Sequence, residues 1–264
     1  MLFGAVGCGK SSVINLLANK PIAQVFTNIE ACTKEPRRYL VPIGKRQFTL
    51  WDTTGFGLPR RGAINPLLPY EQACDLLRNR LNGVHLILLC ASKDDIRSNN
   101  HRLRSLYWLI KDFFFGGYAP VALVVTHFDT PDDSKKWWED NQRAIFTKTD
   151  IPVASIPHAR TSTKAQNGSD ESGRALRSLL EQCATFATPI SPRTDLPSDG
   201  EADLLRKCGL TDSDATELVH KLCRPQNQPN SAINAERPVA MVSSNIEPGP
   251  GRVERGGRGP SAYH

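Results

Sequence analysis

Eight residues near the start of the chain, Gly4–Ser11, have the types and the spacing of a phosphate-binding loop. Their sequence, GAVGCGKS, fits the pattern G-x-x-x-x-G-K-[ST] and runs directly into the helix-compatible residues 12–18. The glycines allow backbone N–H groups to turn toward a triphosphate, Lys10 can neutralise its β and γ oxygens, and Ser11 can offer a hydroxyl to Mg²⁺. Lys10 is expected on an exposed part of the loop. The alternative is a glycine-rich turn that matches the pattern by chance.

The nucleotide contacts predicted from this loop come from Gly4, Gly7, Cys8, Gly9, Lys10, Ser11 and Ser12. Such a loop normally follows a buried strand of about five residues. Only Met1, Leu2 and Phe3 precede it here. The sequence therefore predicts a first strand that is either unusually short or truncated.

A second polar motif, Asp52-Thr53-Thr54-Gly55, directly follows the strand predicted at residues 47–51. If this strand lies beside the phosphate-binding loop, the Asp52 carboxylate can reach the Mg²⁺ shell and the Gly55 N–H can face a γ-phosphate. Asp52 and Gly55 are therefore candidate binding residues. The loop between Gly55 and Tyr70 is predicted to be ordered by the third phosphate and released on its loss.

A third motif, Thr126-His127-Phe128-Asp129, follows the apolar residues 121–125, which predict another buried strand. An aspartate at this edge of a sheet can accept two charge-assisted hydrogen bonds from the N1–H and N2–H₂ groups of guanine. Adenine has no donor at N1, so this pairing favours guanine. The alternative is an ordinary strand-end turn, where aspartate is common. The candidate base-binding residues are Thr126, His127 and Asp129.

Short apolar segments alternate with longer amphipathic ones from residue 37 to residue 188, which is typical of a doubly wound α/β sheet. The predicted strands lie at residues 38–43, 47–51, 84–90, 121–125 and 151–156. The predicted helices lie at residues 70–81, 103–114, 134–146 and 171–186. The sequence thus predicts a three-layer α/β domain with a mostly parallel sheet.

Composition divides the chain into four parts. Residues 1–188 are predicted to form the nucleotide-binding domain, and residues 189–200 a linker. Residues 201–223 predict a short helical hairpin, whose second helix has a capping box that begins at Thr211. Packing of this hairpin on the main domain and binding of a partner are both open at this point. Residues 224–264 are rich in proline, glycine, serine and asparagine and are predicted to be disordered.

Charge and composition favour a polyanionic ligand. The formal net charge is +6, and residues 190–264 carry 9 Lys and Arg against 10 Asp and Glu, so the positive surplus lies in the first part of the chain. No basic stripe with interleaved aromatic residues occurs, so a nucleic acid is not an expected partner. The seven cysteines have no metal-ligand spacing and predict reduced thiols in a cytoplasmic protein. The longest unbroken apolar run, residues 86–91, is too short for a transmembrane segment.

The three motifs, in this order and at these strand ends, resemble the first, third and fourth motifs of small GTP-binding G domains. Together with Ser12-Val13-Ile14-Asn15 and the Thr-His-x-Asp box, they are most similar to the AIG1/Toc-type GTPases and their fungal relatives. The resemblance covers residues 1–188 and implies GTP or GDP and Mg²⁺ as ligands. It also implies that Thr33 is the switch threonine at Mg²⁺ and the γ-phosphate, and that Ser155 lies in the fifth motif near the base.

By the same resemblance, Lys10 and Thr33 are the expected catalytic residues. The metal-site residues that it implies are Ser11, Thr33 and Asp52. His127 stands where most G domains have lysine, so an imidazole replaces the aliphatic stem that covers the guanine. Phe56 stands where many GTPases have the glutamine that orients the attacking water, so intrinsic hydrolysis is expected to be slow unless another residue or a partner chain supplies that group.

The sequence therefore predicts a guanine-nucleotide-binding protein whose slow, Mg²⁺-dependent GTP hydrolysis serves as a switch or for assembly. A homodimer through the nucleotide face is one way to supply the group that Phe56 cannot. One alternative is a GTP-binding scaffold without useful turnover, which Phe56 also favours. A second alternative is a P-loop kinase of a small molecule, which would be expected to carry an arginine-rich lid that the sequence does not show.

Overall fold

The computed structural model describes residues 1–25, 33–56, 67–98, 100–162, 169–185, 188–193, 200–207 and 210–223. Residues 1–224 form one compact unit. The tail predicted to be disordered, residues 224–264, lies outside the described residues, as do residues 194–199 of the predicted linker. Most of the loop between Gly55 and Tyr70, which is predicted to respond to the third phosphate, also lies outside them.

Six strands form one sheet in the order β2-β3-β1-β4-β5-β6. The strands are β1 (Leu2–Gly4), β2 (Arg37–Ile43), β3 (Arg46–Asp52), β4 (Ile87–Ser92), β5 (Val121–Phe128) and β6 (His158–Ser162). β2 and β3 form an antiparallel hairpin, and the remaining neighbours in the sheet pair in parallel. The mostly parallel α/β sheet predicted from the alternating segments is confirmed.

Helices connect the strands and continue after the last one. In the described parts of the chain the α-helices are α1 (Lys10–Ala18), α2 (Leu68–Asp75), α3 (Lys93–Ser98), α4 (Asn100–Trp108), α5 (Pro131–Thr149), α6 (Ser169–Thr185), α7 (Gly200–Lys207) and α8 (Asp212–Cys223). α2 and α4 each continue into a π-helical turn, at Leu76–Arg80 and Leu109–Phe114. Among the described helices, none has the length and apolar character needed to cross a bilayer.

Helices cover both faces of the sheet, which gives the domain three layers. Successive side chains of a buried strand point to opposite faces. Leu88 accordingly belongs to the apolar cluster that contains residues of α1 and α6, whereas Leu89 belongs to the cluster that contains residues of α2, α4 and α5. Both strand faces are therefore apolar, as the continuous apolar segments of the sequence predict.

β1 has three residues but pairs with both of its neighbours. It pairs with β4 from Leu2↔Leu88 to Gly4↔Cys90, and with β3 at Leu2↔Asp52. The short strand still places the phosphate-binding loop at the carboxyl edge of the sheet, where doubly wound sheets bind ligands. A cavity of about 460 Å³ lies instead toward the amino-terminal ends of β3 and β4, lined among others by Met1, Phe48, Leu50, Val84 and Leu86.

The strand predicted at residues 151–156 is wrong. These residues form turns, in which the Ser155 and Ile156 N–H groups donate to the Pro152 carbonyl oxygen over 2.8 and 3.0 Å. The sixth strand follows at His158–Ser162. Proline has no N–H to donate to a ladder, so the apolar segment that contains Pro152 does not pair with β5. The more polar segment after it does, and it buries Ala159, Thr161 and Ser162.

The predicted hairpin forms α7 and α8, and its apolar side packs on the domain. Thr211 caps α8, since the Asp214 N–H donates to Thr211 Oγ1 over 3.1 Å. Leu205, Ala215 and Leu218 are fully buried and share one apolar cluster with residues of α2 and α4. The apolar face of the hairpin therefore packs on the main domain, which is one of the two alternatives that the sequence leaves open.

Candidate functional site

The phosphate-binding loop lies between the end of β1 and the start of α1. Gly7 and Gly9 have φ values of +78° and +88°, a left-handed conformation that glycine adopts without a steric penalty. A side chain at Gly9 would also meet Thr126 at 3.5 Å. α1 begins at Lys10, so the unpaired N–H groups of its first turn open onto the loop. The loop can therefore present backbone N–H groups and a helix amino terminus to an anion.

Lys10 is buried, with 6% of its surface exposed, so the expectation of an exposed lysine is wrong. Its Nζ donates to the carbonyl oxygens of Gly4 and Ala5 over 3.2 and 3.0 Å. A long side chain reaches back from the first residue of α1 and spans the loop from the inside. The positive charge therefore lies within the loop itself, where phosphate oxygens would enter.

Thr126 supports the phosphate-binding loop from inside the sheet. It belongs to β5 and is fully buried, and its Oγ1 donates toward the carbonyl oxygens of Cys8 at 2.8 Å and Ala91 at 3.3 Å. The sequence places Thr126 in a base-contacting motif, but its hydroxyl points toward the phosphate-binding loop instead. Thr126 thus joins the third motif of the sequence to the first.

The structure brings together Ser11, Thr33 and Asp52, which the resemblance implies as metal-site residues. The Ser11 hydroxyl donates to Asp52 Oδ2 over 2.6 Å, and the Thr33 hydroxyl donates to the same oxygen over 3.3 Å. Asp52 is 2% exposed, and its other oxygen, Oδ1, has no hydrogen-bond partner among the described residues. Burial raises the pKa of Asp52, and the Ser11 hydrogen bond and the Lys10 charge oppose that rise only in part.

These donors fit a hard divalent cation such as Mg²⁺. Mg²⁺ binds through one or two protein oxygens and keeps water and phosphate oxygens as its other ligands. A buried carboxylate oxygen without a donor is unfavourable, and a cation beside Asp52 would remove that cost. Within the described ranges, no three His, Cys, Asp or Glu side chains cluster as a metal site. A cation here would therefore depend on hydroxyl and phosphate oxygens in addition to Asp52.

Asp52→Asn is expected to stabilise the metal-free, nucleotide-free protein by about 1 kcal/mol at neutral pH, because a neutral amide is less costly to bury than a carboxylate. The pKa of Asp52 in the folded state lies above its pKa in the unfolded state. The destabilisation that the buried carboxylate causes in the parent protein is therefore absent below the usual aspartate range, and it grows as the pH rises through the raised pKa. The advantage of the variant should therefore vanish at about pH 3. Urea unfolding in EDTA at several pH values measures the effect.

The matched control for this experiment is Asp140→Asn, which changes an exposed aspartate of α5. It should leave the free energy of unfolding nearly unchanged. A second measurement is the binding of a GTP analogue with and without Mg²⁺, which should lose its dependence on Mg²⁺ in Asp52→Asn but not in the control. An Asp52→Asn protein that is less stable in EDTA at every pH would contradict the assignment.

The segment after Asp52 runs alongside the phosphate-binding loop. The Val6 N–H donates to the Phe56 carbonyl oxygen over 3.2 Å, and the Phe56 N–H donates to the Gly4 carbonyl oxygen over 3.0 Å. A Cβ on Gly55 would lie 2.7 Å from Val6 Cα, so a larger residue would force the two segments apart. Gly55 thus lies directly against the loop that would hold the phosphates.

Phe56 is part of the apolar core and does not point into the site. It is 2% exposed. Its ring stacks on Phe3 with centroids 5.4 Å apart and meets Tyr70 edge-on at 5.2 Å. The position where many GTPases have a water-orienting glutamine is therefore occupied by a core residue in this chain.

Gln72 of α2 is a site residue that the sequence analysis missed. The Thr54 hydroxyl donates to Gln72 Oε1, and Gln72 Nε2 donates to the Lys34 carbonyl oxygen over 2.9 Å. One amide thereby joins the second motif to the segment that begins at Thr33. No local pattern marks a glutamine in a helix for this role, because the contact exists only where α2 and two loops meet.

Asp129 lies just beyond the end of β5, about half exposed, with its Oδ2 3.3 Å from Lys93 Nζ. His127, two residues earlier, has a φ of +65° and lies where the pairing of β5 with β6 is irregular. Burial lowers the pKa of His127, so its imidazole is neutral at pH 7. A neutral ring and a carboxylate at one edge of the sheet can contact the face and the donor edge of a base.

The structure places Ser155 away from this edge. Ser155 precedes β6, and β6 runs parallel to β5, so Ser155 lies toward the opposite end of the sheet from Asp129. Ser162, the last residue of β6, is at the correct end, and its Oγ lies 3.4 Å from the Asp129 carbonyl oxygen. Ser155 was assigned to the base because the sixth strand was predicted at residues 151–156. A serine at the end of β6 was the signal that could have indicated Ser162 instead.

Comparison with known proteins identifies the kind of domain. Residues 1–113 match the family model described as 50S ribosome-binding GTPase. A stretch of 94 residues is 34% identical to the protein YkfA of Escherichia coli (strain K12). This stretch covers 36% of this chain and 30% of YkfA. The chain thus spans less than a third of the length of this curated relative.

Solved structures with the same fold are much more distant in sequence. One concerns the chloroplast translocon components atToc33 and psToc159, with a TM-score of 0.53, 16% identity and coverage of 72% of this chain and 84% of that one. Another is Era of Aquifex aeolicus bound to GDP·AlF4⁻, with a TM-score of 0.52, 15% identity and coverage of 71% and 56%. At such identities the likeness concerns the fold. Residues 1–113 are thus similar to a GTPase family, and the chain is similar in fold to the Toc-type GTPases.

Proposed function

We propose that this protein binds GTP and GDP with Mg²⁺ and hydrolyses GTP slowly, as a switch or for assembly. The observation that carries the proposal is the meeting of Ser11, Thr33 and Asp52 beside the phosphate-binding loop, with a buried Asp52 oxygen that lacks a donor. The family match over residues 1–113 supports guanine-nucleotide binding at this loop. A chance glycine-rich turn would not have these three side chains in contact.

The chain's own groups would divide the work as follows. The N–H groups of the loop and the first turn of α1 would hold the phosphates, with Lys10 neutralising the β and γ oxygens. Ser11, Thr33 and Asp52 would hold Mg²⁺, which when bound neutralises charge on the phosphates. Gly55, packed against Val6, would direct its N–H to the γ-phosphate. Asp129 would accept from guanine, and the neutral His127 ring would lie against the base or the ribose.

Slow hydrolysis follows from the position of Phe56. Its ring is enclosed by Phe3 and Tyr70, so it can neither orient a water molecule nor leave without exposing apolar surface. A GTP-binding scaffold without useful turnover is therefore the second candidate function. Single-turnover hydrolysis of GTP at low and at high protein concentration separates the two candidates, because the scaffold would show no turnover at either concentration.

The test of the binding proposal is a titration of purified protein with GTP, GDP and ATP. Both guanine nucleotides are expected to bind in the presence of Mg²⁺, and ATP is expected to bind more weakly by about 2 kcal/mol or more, because adenine cannot donate from N1 to Asp129. Equal binding of ATP and GTP would remove the guanine assignment. A kinase of a small molecule would instead show transfer of phosphate to an acceptor other than water.

Dimerisation through the nucleotide face would supply a group that orients the attacking water, which Phe56 cannot do. For the translocon components similar in fold, dimerization is described as important for GTPase activity. If a second copy of this chain acts in the same way, specific activity at saturating GTP should rise over about a hundredfold range of protein concentration, since dimer formation follows mass action. Constant specific activity across that range, with a monomer seen throughout by light scattering, would contradict the dimer.

The cytoplasm is the compartment that we propose. Four cysteines in the described residues are free thiols: Cys8, Cys74, Cys90 and Cys183. Free thiols persist in a reducing compartment, where the proposed ligands GTP and Mg²⁺ are also available. A fluorescent fusion of the full-length protein would test this placement.

A further inference from the structure

The hairpin of α7 and α8 is joined to the candidate nucleotide site by two neighbouring residues of α2. Gln72 contacts the site, as described above. Glu71 faces the hairpin, and its Oε1 lies 2.8 Å from Lys221 Nζ of α8. One turn of α2 therefore contacts the segments that carry Thr54 and Lys34 through Gln72 and the hairpin through Glu71.

On the nucleotide side, Gln72 holds two segments at once. Thr54 lies between Asp52 and Gly55, and Lys34 follows Thr33 in the chain. The amide has one arrangement that satisfies both contacts: its oxygen accepts from the Thr54 hydroxyl and its NH₂ donates to the Lys34 carbonyl. A flipped amide would place two carbonyl oxygens against each other. A movement of Thr54 or Lys34 relative to α2 would therefore stretch a hydrogen bond to Gln72.

On the hairpin side, apolar packing accompanies the ion pair of Glu71 with Lys221. Lys221 also lies 2.8 Å from Glu217 Oε1, one turn earlier on α8. Ala215 and Leu218 of α8 are fully buried in the same apolar cluster as Ala73 and Cys74 of α2. The hairpin is thus packed on the helix that carries Gln72, and a shift of that helix changes what the hairpin packs against.

We propose that the α7–α8 hairpin is an internal effector element whose packing on α2 responds to the γ-phosphate through Gln72 and Glu71. The inference rests on the proposed function. In the structure, Thr33 lies at the Asp52 carboxylate, and the resemblance to G domains implies this place for the switch threonine when a γ-phosphate is bound. This arrangement is the one expected with GTP bound, so the hairpin is expected to pack more tightly with GTP than with GDP.

Linkage makes the coupling reciprocal: if GTP tightens the hairpin, loosening the hairpin must weaken GTP relative to GDP by the same factor. Hydrogen exchange of the full-length protein is therefore measured with GMPPNP and with GDP, each with Mg²⁺. The amides of α8 are expected to exchange more slowly with GMPPNP. Lys221→Gln is expected to lower the preference for GMPPNP over GDP by about two- to fivefold, the range that an exposed ion pair can supply.

Two further variants identify the path. Glu71→Gln should also lower the preference for GMPPNP, and the double variant should show no more than Lys221→Gln alone, because both changes remove the pair of Glu71 with Lys221. Gln72→Glu keeps an acceptor for Thr54 but cannot donate to Lys34, so it should also lower the preference for GMPPNP. Lys136→Gln, an exposed lysine of α5, is the control and should leave the preference unchanged.

The outcomes are distinct. Equal α8 exchange with the two nucleotides, in a protein that binds both, would overturn the coupling and leave the proposed function intact. Variants that weaken GMPPNP and GDP by the same factor would show that α2 contributes only to stability, and this also overturns the coupling. If neither nucleotide binds the parent protein, the proposed function fails, and the coupling fails with it.

Discussion

Lys10→Ala is expected to lower the affinity for both GTP and GDP by at least about 3 kcal/mol, or more than a hundredfold, the scale of two charge-assisted hydrogen bonds. The Lys10 ammonium lies inside the phosphate-binding loop, held by the Gly4 and Ala5 carbonyl oxygens. Alanine removes the side-chain charge that Lys10 would direct at the β and γ oxygens. Calorimetric titration with GDP and with a GTP analogue measures the loss.

Because Lys10 is buried, its replacement also affects the folded state. Without the ammonium, the two carbonyl oxygens must find water, which costs about 1–3 kcal/mol if they stay unpaired. Lys10→Met keeps most of the aliphatic stem and is the better-folded companion variant. Lys45→Ala, in the exposed turn between β2 and β3, removes the same charge at a distance and should bind as the parent does. A folded Lys10→Met protein with parental GDP affinity would remove the phosphate-loop interpretation.

The phosphate-binding loop could be predicted because its information is local. Eight consecutive residues specify the glycine conformations, the charge and the start of α1, and no distant contact is needed to recognise them. The mostly parallel sheet was also accessible, since strands buried on both faces appear as continuous apolar segments. Even the three-residue β1 follows from the position of the loop, although its pairing with β3 at Leu2↔Asp52 does not.

The features that the sequence does not predict depend on contacts between segments that are distant along the chain. Lys10 is buried because the segment carrying Gly55 and Phe56 packs along the loop, and a local pattern contains no trace of that packing. The contacts of Gln72 arise in the same way. Apolar content also led to a wrong strand prediction at residues 151–156. A strand needs a ladder of hydrogen bonds as well as an apolar face, and Pro152 interrupts the ladder.

The position of Thr126 differs from its interpretation in the sequence. The sequence groups Thr126 with Asp129 as base contacts, whereas the strand continues through Phe128 and buries the threonine beneath Cys8. The positive φ of His127 then allows the chain to leave the ladder, so that Asp129 reaches the edge of the sheet. The phosphate-binding loop follows β1 and residues 126–129 lie at the end of β5, and the Thr126 hydroxyl joins these two parts of the sheet edge.

Asp129→Asn is expected to shift the preference from GTP toward XTP by at least about 2 kcal/mol, the scale of one charge-assisted hydrogen bond. The carboxylate is proposed to accept from both N1–H and N2–H₂ of guanine. Asparagine keeps the size and shape but presents one NH₂, so one contact becomes donor against donor. Xanthine carries a carbonyl at the 2-position and can accept from that amide. Competition of GTP and XTP for the fluorescent-nucleotide-loaded protein measures the ratio.

The ion pair of Asp129 with Lys93 requires a control, because Asp129→Asn also removes that pair. Asp129 is half exposed, so the pair contributes no more than about 1 kcal/mol, less than the predicted shift. Lys93→Met removes the ammonium and keeps the carboxylate, and its ratio of GTP to XTP affinity should remain that of the parent protein. If Asp129→Asn binds GTP as the parent does, residues 126–129 form an ordinary strand-end turn, and the assignment of guanine to this edge of the sheet is wrong.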